Sequence, residues 1–196
     1  MNSLWGWTLL LAAGQLPAEA QPAGSIAAPK PSDAAARALD AFKAEAAEYV
    51  VKLESRPTEK LQLVKEPVLR WDNPARTGED GAIFVWTRGG RPEMIGTIFT
   101  YRFNDRINRK HELHSLAVEP LTAEFRGQEV WAPKSSGVKF TSLPGAPAPA
   151  ATSRQRLTQM KALAREFAAS MKDEQGESYQ LRLLTQPLVR YEPEGK

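Results

Sequence analysis

Cysteine is absent from the 196 residues. Disulfides, thiol catalysis and cysteine-ligated metals are therefore excluded, and the fold must be held by packing alone. Histidine occurs only twice, in one cluster. Charge of one sign is also scarce: the formal net charge is +3, and lysine and arginine alternate with acids along the chain. No basic block or stripe follows a phosphate backbone, so a nucleic-acid partner is not expected. Long hydrophobic runs are missing as well. The one apolar stretch, residues 4–13, is too short to span a bilayer, and nothing after it could cross one. What remains is a globular composition, 42% hydrophobic and 25% charged, in a chain long enough for one domain or two small ones packed together.

The N-terminus reads as a targeting segment. The apolar run is followed by Pro17, and Ala18-Glu19-Ala20 fits the small-x-small pattern of signal-peptidase cleavage. The flank Met1-Asn2-Ser3 offers only the α-amino group as positive charge. Residues 1–20 are thus expected to be a signal peptide and 21–32, rich in Pro, Ala and Gly, a flexible leader. The expected location is exported, periplasmic or extracellular.

Beyond the leader, Leu39, Phe42, Ala46, Tyr49, Val50 and Leu53 recur at helical spacing, with Pro31-Ser32-Asp33 before them and Pro57 after. Strand-like segments follow at 61–66 and 68–71, interrupted by Pro67. Residues 82–87 and 93–101 form the strongest hairpin signal, joined by Arg88-Gly89-Gly90-Arg91-Pro92. Further strands are expected at 110–118, 121–125, 128–132 and 138–143. The Pro/Ala-rich connector, 144–152, leads to a second helix at 153–171 with the stripe Leu157, Met160, Ala164, Phe167 and Met171. Strand-like residues 179–184 and 187–191 close the chain. The expected fold class is α+β: a twisted antiparallel sheet of about six to eight strands on two amphipathic helices, cystatin-like or NTF2-like by analogy alone. Its units are 33–143, a helix plus sheet, and 153–196, a helix plus strand packed on it.

Those two units repeat a pattern. Leu39, Lys43, Ala44, Ala46 and Glu48 have identical counterparts 118 residues on, from Leu157 to Glu166. Leu61, Leu63, Pro67 and Arg70 have identical counterparts 120 residues on, at Leu181, Leu183, Pro187 and Arg190, and an aromatic then an acid follows each Arg. One two-residue gap reconciles the offsets, so an internal duplication is expected. The first copy continues into the 82–101 hairpin; the second meets Lys196 where its hairpin would begin, so either the chain is cut short or its last strand completes the first copy's sheet.

The segments 67–74, 80–86, 90–93, 111–116 and 183–192 together resemble a family of exported planctomycete proteins with no assigned activity, over most of residues 35–192. Longer members continue past the Arg-Tyr-Glu segment into another hydrophobic hairpin, which implies that this chain is cut short. The resemblance brings no catalytic residue, cofactor or substrate.

Candidate chemistry is sparse. In His111-Glu112-Leu113-His114, strand alternation puts Glu112 and His114 on one face and His111 on the other. The pair could begin a metal site or do acid–base work, but it lacks the helix and the four-residue step of a zinc-protease motif and has no third ligand. A polar cross-strand contact of Glu112 and His114 is the expectation, with no metal and no cofactor. Arg70 beside Trp71, and Arg190 beside Tyr191, could bind an anion, although packing of the arginine stem on the ring is the ordinary arrangement. Arg88-Gly89-Gly90-Arg91 could be called a phosphate nest, but without a following helix it reads as a turn. Trp71, Trp86, Trp131 and Tyr101 could line a pocket, with core filling the ordinary alternative. Ser115 and Ser135-Ser136-Gly137 form no nucleophile elbow. The functional expectation is a non-catalytic binding or structural protein of the cell envelope. The alternative is a small-ligand or metal-dependent enzyme or binder using Glu112 and His114.

Overall fold

The computed structural model describes residues 33–72, 80–172, 176–184 and 186–191. The expected signal segment and leader lie outside the described residues. All of the latter belong to one unit, Pro31–Lys196. Among the described residues the chain is mixed α and β, with two helices and mostly antiparallel sheet, and no helix there is long and apolar enough to cross a membrane.

Helix α1 (Asp33–Ala47) presents Ala35, Phe42 and Ala46 as its buried stripe, with Ala38 and Leu39 partly covered beside them. Phe42 is 1% exposed, a burial that contributes about 2–3 kcal/mol. The expected helical stripe does not continue through Tyr49, Val50 and Leu53. These belong to strand β1 (Tyr49–Leu53), in which Tyr49, Val51 and Leu53 are buried in alternation. The spacing from Tyr49 to Leu53 serves a helix and a strand equally; the adjacent β-branched pair Val50-Val51 settles it for the strand.

β1 pairs antiparallel with β7 (Leu121–Phe125), which pairs in turn with β8 (Gln128–Trp131). A second sheet runs in the order β2 (Gln62–Leu63), β4 (Asp80–Arg88), β5 (Arg91–Phe103), β6 (Arg106–Ser115), with β3 (Leu69–Asp72) also on β4. The two sheets meet at one corner. There Lys52 bridges Lys60, and the Leu61 N–H donates to the Val51 carbonyl at 2.8 Å. The break at Pro67 is real: Val64 N–H and Val68 N–H donate to the carbonyls of Val85 and Ile83, so the residues between them loop away from β4. The core lies between α1 and the inner sheet face, where Phe84, Trp86, Met94 and Ile98 meet Phe42, Ala46 and Tyr49.

Reversals are tight. Gly89 and Gly90 both take positive φ (53° and 76°) between Arg88 and Arg91, the mirror-image turn that suits the twist of paired strands. This is the expected hairpin turn, not a nest opening a helix. Just beyond it the register slips between Trp86 and Thr87, leaving Glu93 as the extra residue on β5. Glu93 is 1% exposed and lies 3.4 Å from Arg88 and 3.7 Å from Arg91. The β5–β6 turn uses Asn104 and Asp105, again with positive φ.

Residues 138–143 form no strand, contrary to the sequence pattern. Phe140 is 75% exposed; Gly137 and Val138 donate to the Ala117 carbonyl at the segment's start, and at its end the Leu143 carbonyl accepts only a local turn bond from Ala146. Alternation without a neighbouring strand edge does not make a ladder.

Helix α2 is shorter than expected, Ser153–Ala164. Thr152 caps it by accepting from the Gln155 N–H, and Arg156 holds the carbonyls of Ala150 and Ala151. Ala169–Lys172 forms β9 and pairs antiparallel with β10 (Ser178–Leu181). Phe167 and Met171 therefore leave the helix, as Tyr49 and Leu53 left the first. Ala169 pairs Leu181 and Ser170 pairs Gln180. The sequence counterparts of those four are Val51, Leu61, Lys52 and Lys60, joined by the corner contacts between the two sheets.

Candidate functional site

Glu112 and His114 project from one face of β6, with Lys110, opposite Thr97, Ile95 and Phe99 of β5. The Glu112 carboxylate lies 2.8 Å from Lys110 Nζ. The hydrogen bond to Glu112 and its charge raise the Lys110 ammonium above the ordinary lysine range. Glu112 is thus engaged by a lysine on its own strand, and His114 stands exposed beside it. Among the described residues no group of three or more His, Cys, Asp or Glu side chains is placed to hold a metal ion.

His111, on the opposite face, is the histidine that the fold draws into a cluster. Its Nδ1 is 2.7 Å from the Tyr49 hydroxyl and its Nε2 is 3.0 Å from Glu45 Oε2. Beside a carboxylate Nε2 carries the proton and donates, so Nδ1 accepts from the Tyr49 O–H. Arg109 takes the other oxygen of Glu45 and lies over the Phe42 ring. Tyr49 packs edge-on against Trp86 and tilted against Phe125, which also meets the His111 ring edge-on. Burial, then the Glu45 charge, raises the Tyr49 phenol above its ordinary value. The trio has the order of a proton relay, yet Tyr49 is 8% exposed and its hydroxyl is spent on His111. The cluster ties α1 and β1 to β6. Sequence alone brought out neither Glu45, Tyr49 nor Arg109. The available signal was His111 facing away from its neighbours and Glu45 lying next to the apolar stripe of α1.

The arginine–aromatic pairs fall in different surroundings. Arg70 lies opposite Ala82 on β4, and one of its terminal nitrogens is buried without a hydrogen-bond partner. Trp71 covers Gly81 and approaches Phe99, which in turn approaches Tyr101. Trp86 is in the core and Trp131 packs against it, so the four aromatics line no common pocket. Arg190 donates to Gln186 at 3.0 Å, and Arg190 and Tyr191 border a groove beside α2.

That groove is open and apolar. Two adjoining hollows, of about 420 and 480 Å³, run between α2 and residues 182–191. Leu157 and Met160 line both, Ala164, Leu183 and Leu188 line the first, and Val189 the second. The ionisable lining residues are cations or Tyr191: Arg156, Lys161, Arg182 and Arg190. No residue of α2 is buried. Compared with protein-family models, curated proteins and solved structures, the chain matches none.

Proposed function

We propose that the chain is a non-catalytic, exported binding protein of the cell envelope, and that it holds its partner on the apolar surface of residues 157–191. We also read residues 153–191 as a second copy of 35–72. The matching strand registers after each helix support that reading. One observation carries the functional proposal: apolar side chains that are covered in the first segment have uncovered counterparts in the second. Phe42 is 1% exposed and Met160 61%; Tyr49 is 8% and Phe167 83%; Leu61 is 7% and Leu181 54%. A contiguous exposed apolar surface of this kind marks an interaction site. The cations on its rim would favour a partner with acidic groups beside its apolar ones.

The test is carbene footprinting of the purified full chain alone and mixed with a cell-envelope fraction. Labelling of α2 and residues 181–191 should fall several-fold in the mixture. Equal labelling, or protection confined to Glu112 and His114, would overturn the proposal.

A further inference from the structure

We infer that the groove beside α2 receives a β-strand from a partner protein, apolar on alternate residues, which adds to the backbone of residues 183–184 and 186–190. The inference rests on reading this surface as a docking site and names what docks there.

The first segment supplies the template. Its helix is covered by β4, whose Ala82, Phe84 and Trp86 are buried against α1 and β1. β4 is held by backbone bonds on both sides of Pro67: Val64 and Val68 donate to Val85 and Ile83, Leu63 pairs Trp86, and Leu69 pairs Ile83. The counterparts of Val64 and Val68 are Leu184 and Leu188, flanking Pro187 in the same way. Among the described residues, 182–184 and 186–191 belong to no strand, and neither Leu184 nor Leu188 donates a backbone hydrogen bond. Unpaired backbone and an apolar groove thus coincide on one stretch of chain, the combination that strand addition uses: main-chain bonds supply affinity and alternate side chains fill the hollow. The cations among the described lining residues suit a strand that starts, as β4 does, with a carboxylate.

The probe is a fluorescent synthetic peptide of residues 80–103, the hairpin that performs this role in the first segment, titrated into the full chain and read by anisotropy. Saturable binding is expected, with slowed hydrogen exchange at Leu184 and Leu188. Leu183→Asp, at a position 53% exposed and hence tolerable to the fold, should weaken binding at least tenfold. Met160→Asp should do the same from the helix side, and His114→Ala should leave it unchanged. Absence of saturable binding, binding indifferent to Leu183→Asp and Met160→Asp, or protection only of residues 61–70 would overturn the inference. So would a groove already covered by self-association of the chain without peptide. An envelope footprint over residues 157–191 without peptide binding defeats strand addition alone; loss of the footprint defeats the docking surface itself.

Discussion

The Tyr49 hydroxyl answers two demands: it is enclosed by rings, and it must give its proton to His111 Nδ1. Removing it leaves that nitrogen without a partner, so Tyr49→Phe should cost about 1–2 kcal/mol at neutral pH in urea unfolding. The phenol is raised from 10.0, first by burial and then by Glu45. As pH rises the unfolded chain loses this proton before the folded one. The stability held by the neutral phenol is therefore whole below pH 10 and falls as pH climbs through the raised folded value. Tyr49→Phe should show a shallower alkaline decline than the parent, and equal slopes would refute this role. At Gly96 a Cβ would stand 2.7 Å from the Trp86 ring, which is 1% exposed and has nowhere to go. Gly96→Ala should cost about 2 kcal/mol. Gly81→Ala would bring its Cβ nearer still to Trp71, at 2.0 Å, but that ring is 37% exposed and can swing out. It should cost less, and thermal unfolding of the two variants decides the order.

At the level of elements the two helices differ in what covers them. α1 has buried residues and α2 has none, and a twelve-residue helix is marginal in water without packing. Amides of α2 should exchange at least about a hundredfold faster than those of α1 in native-state hydrogen exchange; similar rates would show that α2 is stabilised by something other than burial. The sequence made both helices visible and overextended both, for one reason. Tyr49 to Leu53 keeps a spacing that helix and strand share, and Phe167 likewise continues the stripe of α2. Only a neighbouring strand turns that ambiguity into β. The converse error fell on residues 138–143, which alternate properly and found no edge to join. The Asn104-Asp105 reversal was legible in principle, since both residues tolerate positive φ, but the adjoining polar residues hid the strand ends.

Across the molecule, every buried core residue among the described residues falls between Ala35 and Ala123. A chain ending at Leu143 should therefore melt cooperatively within a few degrees of the full one, by circular dichroism; failure to fold would place part of the core's support in residues 144–191. This scale is also where His111 finds its neighbours. The motif drew attention to Glu112 and His114, but the His111 cluster depends on α1 lying across β6, a pairing between residues more than sixty positions apart. No local pattern encodes it. The groove was legible in outline, because Leu157, Met160 and Ala164 already stood out as an apolar stripe and line it.

The tight reversals at Gly89-Gly90 and Asn104-Asp105 bear on time as well as shape. They make β4, β5 and β6 neighbours in sequence, and hairpins so joined close in about 1–10 μs. β1 must wait for β7, across a separation of 72 residues at the Lys52–Glu124 pair. The mid-chain hairpins are therefore expected to form before β1 pairs with β7, an order that φ-values at Val51 and Val85 would check. Strengthening the pairing of β1 with β7 should slow unraveling while leaving the rate of folding nearly untouched.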